Sequence, residues 1–253
     1  MKTNRTRQRS GGFSLIEVMA ALTILSVMMI MLGQLFSNSS SAYRIGTGRS
    51  DMDGAARAAL DFMAREIGSL QADSVLTMSV TTTNLLGRSM DVIRFVSLSN
   101  TPEIRSGNRA YREGMELCYT PLAYTNNSNR VFLGRWGIER EDSGSYTCYT
   151  STTWHTSAFS GQQTAWANSL AENISNFKVY VYTRAGSYAA TPYTSDTARL
   201  PLWIDLYLEL LSDEHATQAA LLAGSDRNEF LKQKARRYTQ RVFLNNRQHI
   251  LTW

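Results

Sequence analysis

One carboxylate in an apolar run is the group most exposed to chemical consequence in this chain. From Phe13 to Phe36 the sequence reads FSLIEVMAALTILSVMMIMLGQLF, 24 residues in which Glu17 is the single charged side chain. Coiled as a helix, the run is long enough to span a hydrocarbon layer of about 30 Å. A charge at the centre of such a span costs on the order of 2.5–3.5 kcal/mol even on lenient insertion scales. Such a group is read as functional by default, and it calls for a partner. Ahead of it lie Gly11, Gly12 and a leader that holds Lys2, Arg5, Arg7 and Arg9 but no acid.

Gly12, Phe13 and Glu17 carry a resemblance. The segment G-F-S-L-I-E-V-M-A-A-L-T-I-L-S resembles the class III signal of type IV pilins and type II secretion pseudopilins. The resemblance implies cleavage by a prepilin peptidase between Gly12 and Phe13, followed by N-methylation of Phe13. It also implies a partner for Glu17, the amine freed at Phe13 on its own or a neighbouring subunit. In a low-dielectric medium that pair would set the register of assembly, because a one-residue slip strands two charges. The partners implied are the peptidase, other pilin or pseudopilin subunits, the inner membrane and a secretion or pilus assembly machinery. Gln34 stands where many major pilins have proline, which points toward a minor or pseudopilin type.

Two plainer readings stay beside this one. A simple single-pass anchor fits the length but leaves Gly12, Phe13 and Glu17 unexplained. A cleaved secretory signal has an apolar core of about 7–15 residues and a small-residue site; here the run is longer, and only Ser40-Ser41-Ala42 offers a poor site.

The elements that must position these groups can be drawn from charge and periodicity. The net charge is +5, and four of those five charges sit in the leader, so residues 13–253 carry +1. The basic balance is a topology signal that holds the N-terminus in the cytoplasm and places the chain beyond Phe36 on the periplasmic side. Nucleic acid is not an expected partner. Residues 37–49 are small and polar with Gly46 and Gly48, which predicts flexible points in one long helix, broken or bent there. From Asp51, Met52, Ala56, Leu60, Met63, Ile67 and Leu70 recur at helical spacing, with Arg57, Asp61, Arg65 and Glu66 largely off that stripe.

Beyond Ala72 the period changes to that of strands: 75–80, 91–98, 115–120, 130–139, 174–183, 202–211 and 237–245. Segments 99–114 and 184–200 read as loops, and 212–236 as an insertion with short helices near 217–223 and 227–234. The expected fold is α+β, a pilin-like long helix packed on an antiparallel sheet. The expected organisation is a cleaved leader (1–12), a transmembrane half-helix (13–36), a linker with amphipathic half-helix (37–72) and a periplasmic sheet domain (73–253). The stretch 59–70 and the closing run LAENISNFKVYVYT, RLPLWIDLYLEL, RYTQRVFLNN resemble J-type minor pseudopilins.

Other chemistry is sparse. Cys118 and Cys148 lie in the exported part, where they could pair and close a loop worth roughly 3–4 kcal/mol of chain entropy; two buried thiols are the alternative. His155, His215 and His249 have no metal-type partner at close spacing, and no catalytic or phosphate-binding motif occurs. No metal, no cofactor and no enzymatic activity are expected. The acidic clusters at 139–142 and 213–214 read as solvated faces. Glu141 to Cys148 imitates the tyrosine corner of immunoglobulin domains, but the chain upstream is too short for that fold. Trp154 and Trp166, in a Ser/Thr-rich loop, are the candidate contact residues. A membrane-anchored binding or adhesion module, or an anchored enzyme, would be the alternative to a pilin-like structural subunit.

Overall fold

The computed structural model describes residues 14–71, 77–97, 115–124, 129–138, 168–183, 187–195 and 200–244. The chain divides into two compact units, one ending at Arg49 and the other beginning at Ser50. Helix α1, Leu15–Gly68, supplies the described part of the first and the opening element of the second.

Ser14 starts α1. Its carbonyl accepts the amides of Glu17 and Val18 at 3.0 and 3.2 Å, and its hydroxyl accepts Glu17 N–H at 3.3 Å. Serine at the N-cap with Glu three places on is the sequence of a capping box. The hydroxyls farther along return to the helix backbone: Thr23 donates to Ala20 O and Ser26 to Leu22 O, both at 2.8 Å. These bonds leave the hydroxyls satisfied without water.

The expected break near Gly46 and Gly48 is not found. Residues 37–49 are helical throughout, and Thr47 Oγ1 donates to Tyr43 O and Arg44 O. A glycine costs a helix interior only about 1 kcal/mol, while extension from turns already formed is favourable.

In the second unit α1 lies on sheet. Ala56, Leu60, Met63 and Ile67 of the expected stripe are buried, and Ala59 is buried beside them. Among the described residues ten strands form two antiparallel sheets. The first has the order β6–β5–β4–β3–β2–β8, built from β2 (Ser79–Leu85), β3 (Arg88–Ser97), β4 (Met115–Ala123), β5 (Val131–Ile138), β6 (Asn168–Ala171) and β8 (Tyr193–Thr194), with β1 (Leu70–Gln71) on β3. The second has the order β10–β9–β7, from β7 (Ile174–Tyr182), β9 (Trp203–Leu210) and β10 (Arg236–Phe243). The α+β expectation is met. Strict alternation in β7 and β9 puts Phe177, Val179, Val181, Ile204, Leu206 and Leu208 into the core and leaves Tyr180, Tyr182, Asp205 and Tyr207 half-exposed.

Tyr193–Thr194 is a strand inside the stretch expected as loop, because it pairs with Ser79 and Val80 of β2. Ser195 holds the join: its N–H donates to Met78 O at 2.8 Å and its hydroxyl accepts Met78 N–H at 2.9 Å. Helices α2 (Asp213–Leu221) and α3 (Gly224–Lys234) fill the expected insertion. Between the sheets, buried Asp91 of β3 accepts Lys178 Nζ at 3.0 Å and the Val179 amide at 2.9 Å. One carboxylate thus occupies the hydrogen-bonding edge of β7 that faces away from β9.

A polar clamp joins α1 to β10. Asp53 accepts Arg236 Nη1 at 3.0 Å and the Tyr238 hydroxyl. The Tyr238 bond first, and the Arg236 guanidinium after it, hold the Asp53 carboxyl below its ordinary 3.8. Burial, then the bond to Asp53, pushes the Tyr238 phenol up to about 12. A depressed carboxyl stabilises the fold above its unfolded pKa and loses that contribution as pH falls through the folded value. In thermal melts, the advantage of the wild type over Asp53→Asn should therefore be full at neutral pH, narrow below about pH 4 and vanish in stronger acid. A gap that stays constant with pH would contradict the clamp.

Candidate functional site

Glu17 occupies the third position of α1, placed there by the Ser14 cap. The side chain is exposed, and among the described residues no side chain bonds its carboxylate. The large apolar residues around it are exposed too, from 46% at Val18 to 79% at Leu15 and Phe36. A surface of this size is what an acyl-chain environment or a neighbouring helix would cover. The first-turn position favours a negative charge through the helix dipole, yet in a dry setting a carboxylate still lacks its counter-charge. The arrangement can hold one cationic group against a helix end, and it can do so only where apolar surface excludes water. Gly12 and Phe13 lie outside the described residues.

A second acid departs from its expected place. Glu66, expected off the buried stripe, is buried inside the sheet-bearing unit. It accepts Arg135 Nη2 at 2.6 Å on Oε1 and Arg135 Nε at 3.0 Å on Oε2, and the Tyr119 hydroxyl also donates to Oε2. Arg135 lies with its guanidinium carbon 5.4 Å from the Phe62 ring centre. Burial, then the Glu66 charge, drives the Tyr119 phenol strongly upward, which keeps it a donor. The backbone carbonyl of Glu66 takes three more donors, Ser97 Oγ at 2.9 Å, Ser69 Oγ at 3.0 Å and the Ser69 amide at 3.2 Å. This cluster ties α1 to β3, β4 and β5. The signal available in the sequence is spacing: Glu66 stands three residues after Met63 and seven after Ala59, on the same helix face.

The remaining expected sites separate. Cys118 is a buried free thiol, pushed up to about 12 by burial; its expected bridge partner lies outside the described residues. Cys118 sits mid-strand in β4, opposite Arg94 and Trp136. Its high pKa keeps it protonated and unreactive at neutral pH. Cys148, Trp154 and Trp166 lie outside the described residues, as do His155 and His249. His215 is placed by α2, with Nδ1 3.0 Å from Ser212 Oγ and its ring edge-on to Phe230.

The half-exposed face of the second sheet collects aromatics the sequence could not align. Tyr182, Trp203 and Phe243 sit opposite one another across β7, β9 and β10. The Tyr182 and Trp203 rings are stacked with centres 5.0 Å apart. In the next row Arg241 is bidentate to Asp205 at 2.7 and 2.8 Å and lies over Trp203 at 5.1 Å. The rings stack and the ions pair across the strands, while the Trp203 indole N–H is buried without an acceptor.

The family model described as the prokaryotic N-terminal methylation motif matches residues 7–33, a stretch that takes in Gly12, Phe13 and Glu17. The chain thus carries a type IV pilin-like class III signal. α1 is the one helix among the described residues long and apolar enough to cross a membrane; with the signal it supports a single-pass inner-membrane protein. The motif implies processing by a prepilin peptidase and assembly with other pilin subunits. No curated protein matches the chain.

Proposed function

We propose that this chain is a pilin-like structural subunit. It is cut between Gly12 and Phe13, N-methylated at Phe13, and incorporated as a minor component of the J type into a periplasmic pseudopilus or type IV pilus that serves type II protein secretion or pilus biogenesis. The observation that carries the reading is Glu17: a carboxylate without a side-chain partner among the described residues, on an exposed apolar helix within the signal.

Before assembly the bilayer stores the apolar half of α1, with the sheet-bearing unit on the periplasmic face. Cleavage creates a positive amine at Phe13. In the assembled core that amine on a neighbouring subunit neutralises Glu17, and packing of the apolar surfaces excludes water and strengthens the pair. A charge pair in such a setting adds little net stability but penalises every other register.

Mass analysis of protein purified from cells with an intact peptidase tests the reading. The mature chain should begin at methylated Phe13, and deletion of the peptidase should restore Met1–Gly12. A mature protein that retains Met1 in the presence of the peptidase would refute processing and favour an anchored binding or adhesion module.

A further inference from the structure

Three guanidinium groups meet where the β2–β3 turn, the start of β5, the start of β7 and helices α2 and α3 come together. Arg88, Arg130 and Arg227 line one cavity of about 20 Å³ there, room for one or two waters. Two of the three have acids beside them. Arg130 donates from Nε to Asn173 Oδ1 at 2.9 Å and from Nη2 to Asp213 Oδ1 at 2.8 Å. Arg88 donates from Nη1 to Ser175 O at 2.7 Å and stands 3.9 Å from Glu209 Oε2.

Arg227 differs. Its Nη2 donates to the neutral Asn129 carbonyl at 2.7 Å, while its Nε is buried with no acceptor. Among the described residues no carboxylate pairs with it. Desolvation first, and the charge of Arg88 second, pull its pKa down, the direction expected of a cation short of a counter-ion. A buried, unmade donor on a charged group is among the costlier defects a fold carries.

The turn beside it is also unusual. Leu86 and Gly87 both have positive φ, +53° and +73°, as a two-residue hairpin turn of the I′ kind requires. Asparagine or glycine would adopt that conformation with less strain than Leu86. Leucine is nevertheless there, and it lines the cavity. Strained positions of this kind gather at binding sites.

We propose that the cavity receives a carboxylate. One oxygen lies against the Arg227 guanidinium and toward Arg88. Leu86, Met90 and Leu231 form the apolar part of the same lining. A planar head the size of one or two waters fits, whereas a tetrahedral phosphate needs more room and more open donors. The chemistry is shared by a free dicarboxylate and by a glutamate or aspartate side chain of a protein partner. The site stands whether or not Gly12–Phe13 is cleaved.

Full-length protein in detergent micelles at low ionic strength tests this with three probes: glutarate, acetyl-Ala-Glu-Ala-amide and inorganic phosphate. Either carboxylate should bind saturably and protect Arg227 from phenylglyoxal, read by peptide mass mapping on the wild type, so that no variant need fold. Stronger protection by the peptide would assign a protein side chain as the source, and stronger protection by glutarate a small molecule. Arg227→Gln should weaken carboxylate binding about tenfold, the loss of one charge-assisted hydrogen bond, and Arg227→Lys should weaken it less. Unchanged Arg227 reactivity with both carboxylates would overturn the proposal, as would phosphate that protects equally well.

Discussion

Glu17→Ala is expected to insert in the membrane and be processed normally, yet to be excluded from assembled filaments. The substitution removes one carboxylate near the start of the span and so eases insertion by less than the roughly 2.5–3.5 kcal/mol that a charge costs at the helix centre. What it removes from assembly is the counter-charge for a neighbouring amine, which is then buried without an anion. Because Ser14 and Glu17 also form the elements of a capping box, a purely structural role must be separated from the charge. Glu17→Gln does this, since glutamine serves at the same position of the box but carries no charge. Loss of a cap alone costs about 0.5–2 kcal/mol, too little to unravel a helix of 54 residues. Both variants should therefore fail to enter filaments recovered by shearing or by cross-linking in cells. Normal assembly by Glu17→Gln would sink the charge-register argument while leaving the cap intact.

Arg135→Ala is expected to lower the stability of the sheet-bearing unit by about 3–5 kcal/mol, the usual effect of removing one partner from a buried ion pair. The side chains of Arg135 and Glu66 are only 7% and 5% exposed, so water cannot replace the lost guanidinium. Set against a typical domain stability of about 5–15 kcal/mol, that is a severe loss. Thermal melts followed by near-ultraviolet circular dichroism of the full chain in detergent should register it. The reverse experiment is as informative. The triple variant Glu66→Leu, Tyr119→Phe, Arg135→Met replaces the cluster with apolar groups and should recover most of the stability. An Arg135→Ala loss below about 1 kcal/mol, the level of exposed pairs, would mean the cluster does not hold α1 to the sheet.

These two acids also show how far the sequence can be read. Glu17 is identifiable because everything that makes it unusual is local: a cap three residues before it, a run of apolar neighbours and a basic leader. Hydropathy and capping depend on residues within a few turns, so one dimension suffices. The strands β7 and β9 are readable for a like reason, since alternation alone marks a half-buried strand. Glu66 is not. On a helix wheel it borders the stripe, and whether a borderline acid is solvated or buried depends on what the opposing sheet presents. That partner, Arg135, is 69 residues away.

The same distinction runs through the rest of the chain. Local order of residues already determined the span, the signal, the α+β class and the absence of familiar catalytic motifs, because these rest on composition and short-range periodicity. Folding decided the pairing of charges. Arg88, Arg130 and Arg227 are three ordinary cations in the sequence, and only the meeting of a hairpin turn, two strand starts and two helices leaves one of them without an acid among the described residues. Folding likewise placed Cys118 in the middle of β4 as a buried thiol, and brought Asp91 to the edge of β7. Coulomb energy and hydrogen bonding depend on distance and burial, and neither is defined until strands that are far apart in the chain have found their register.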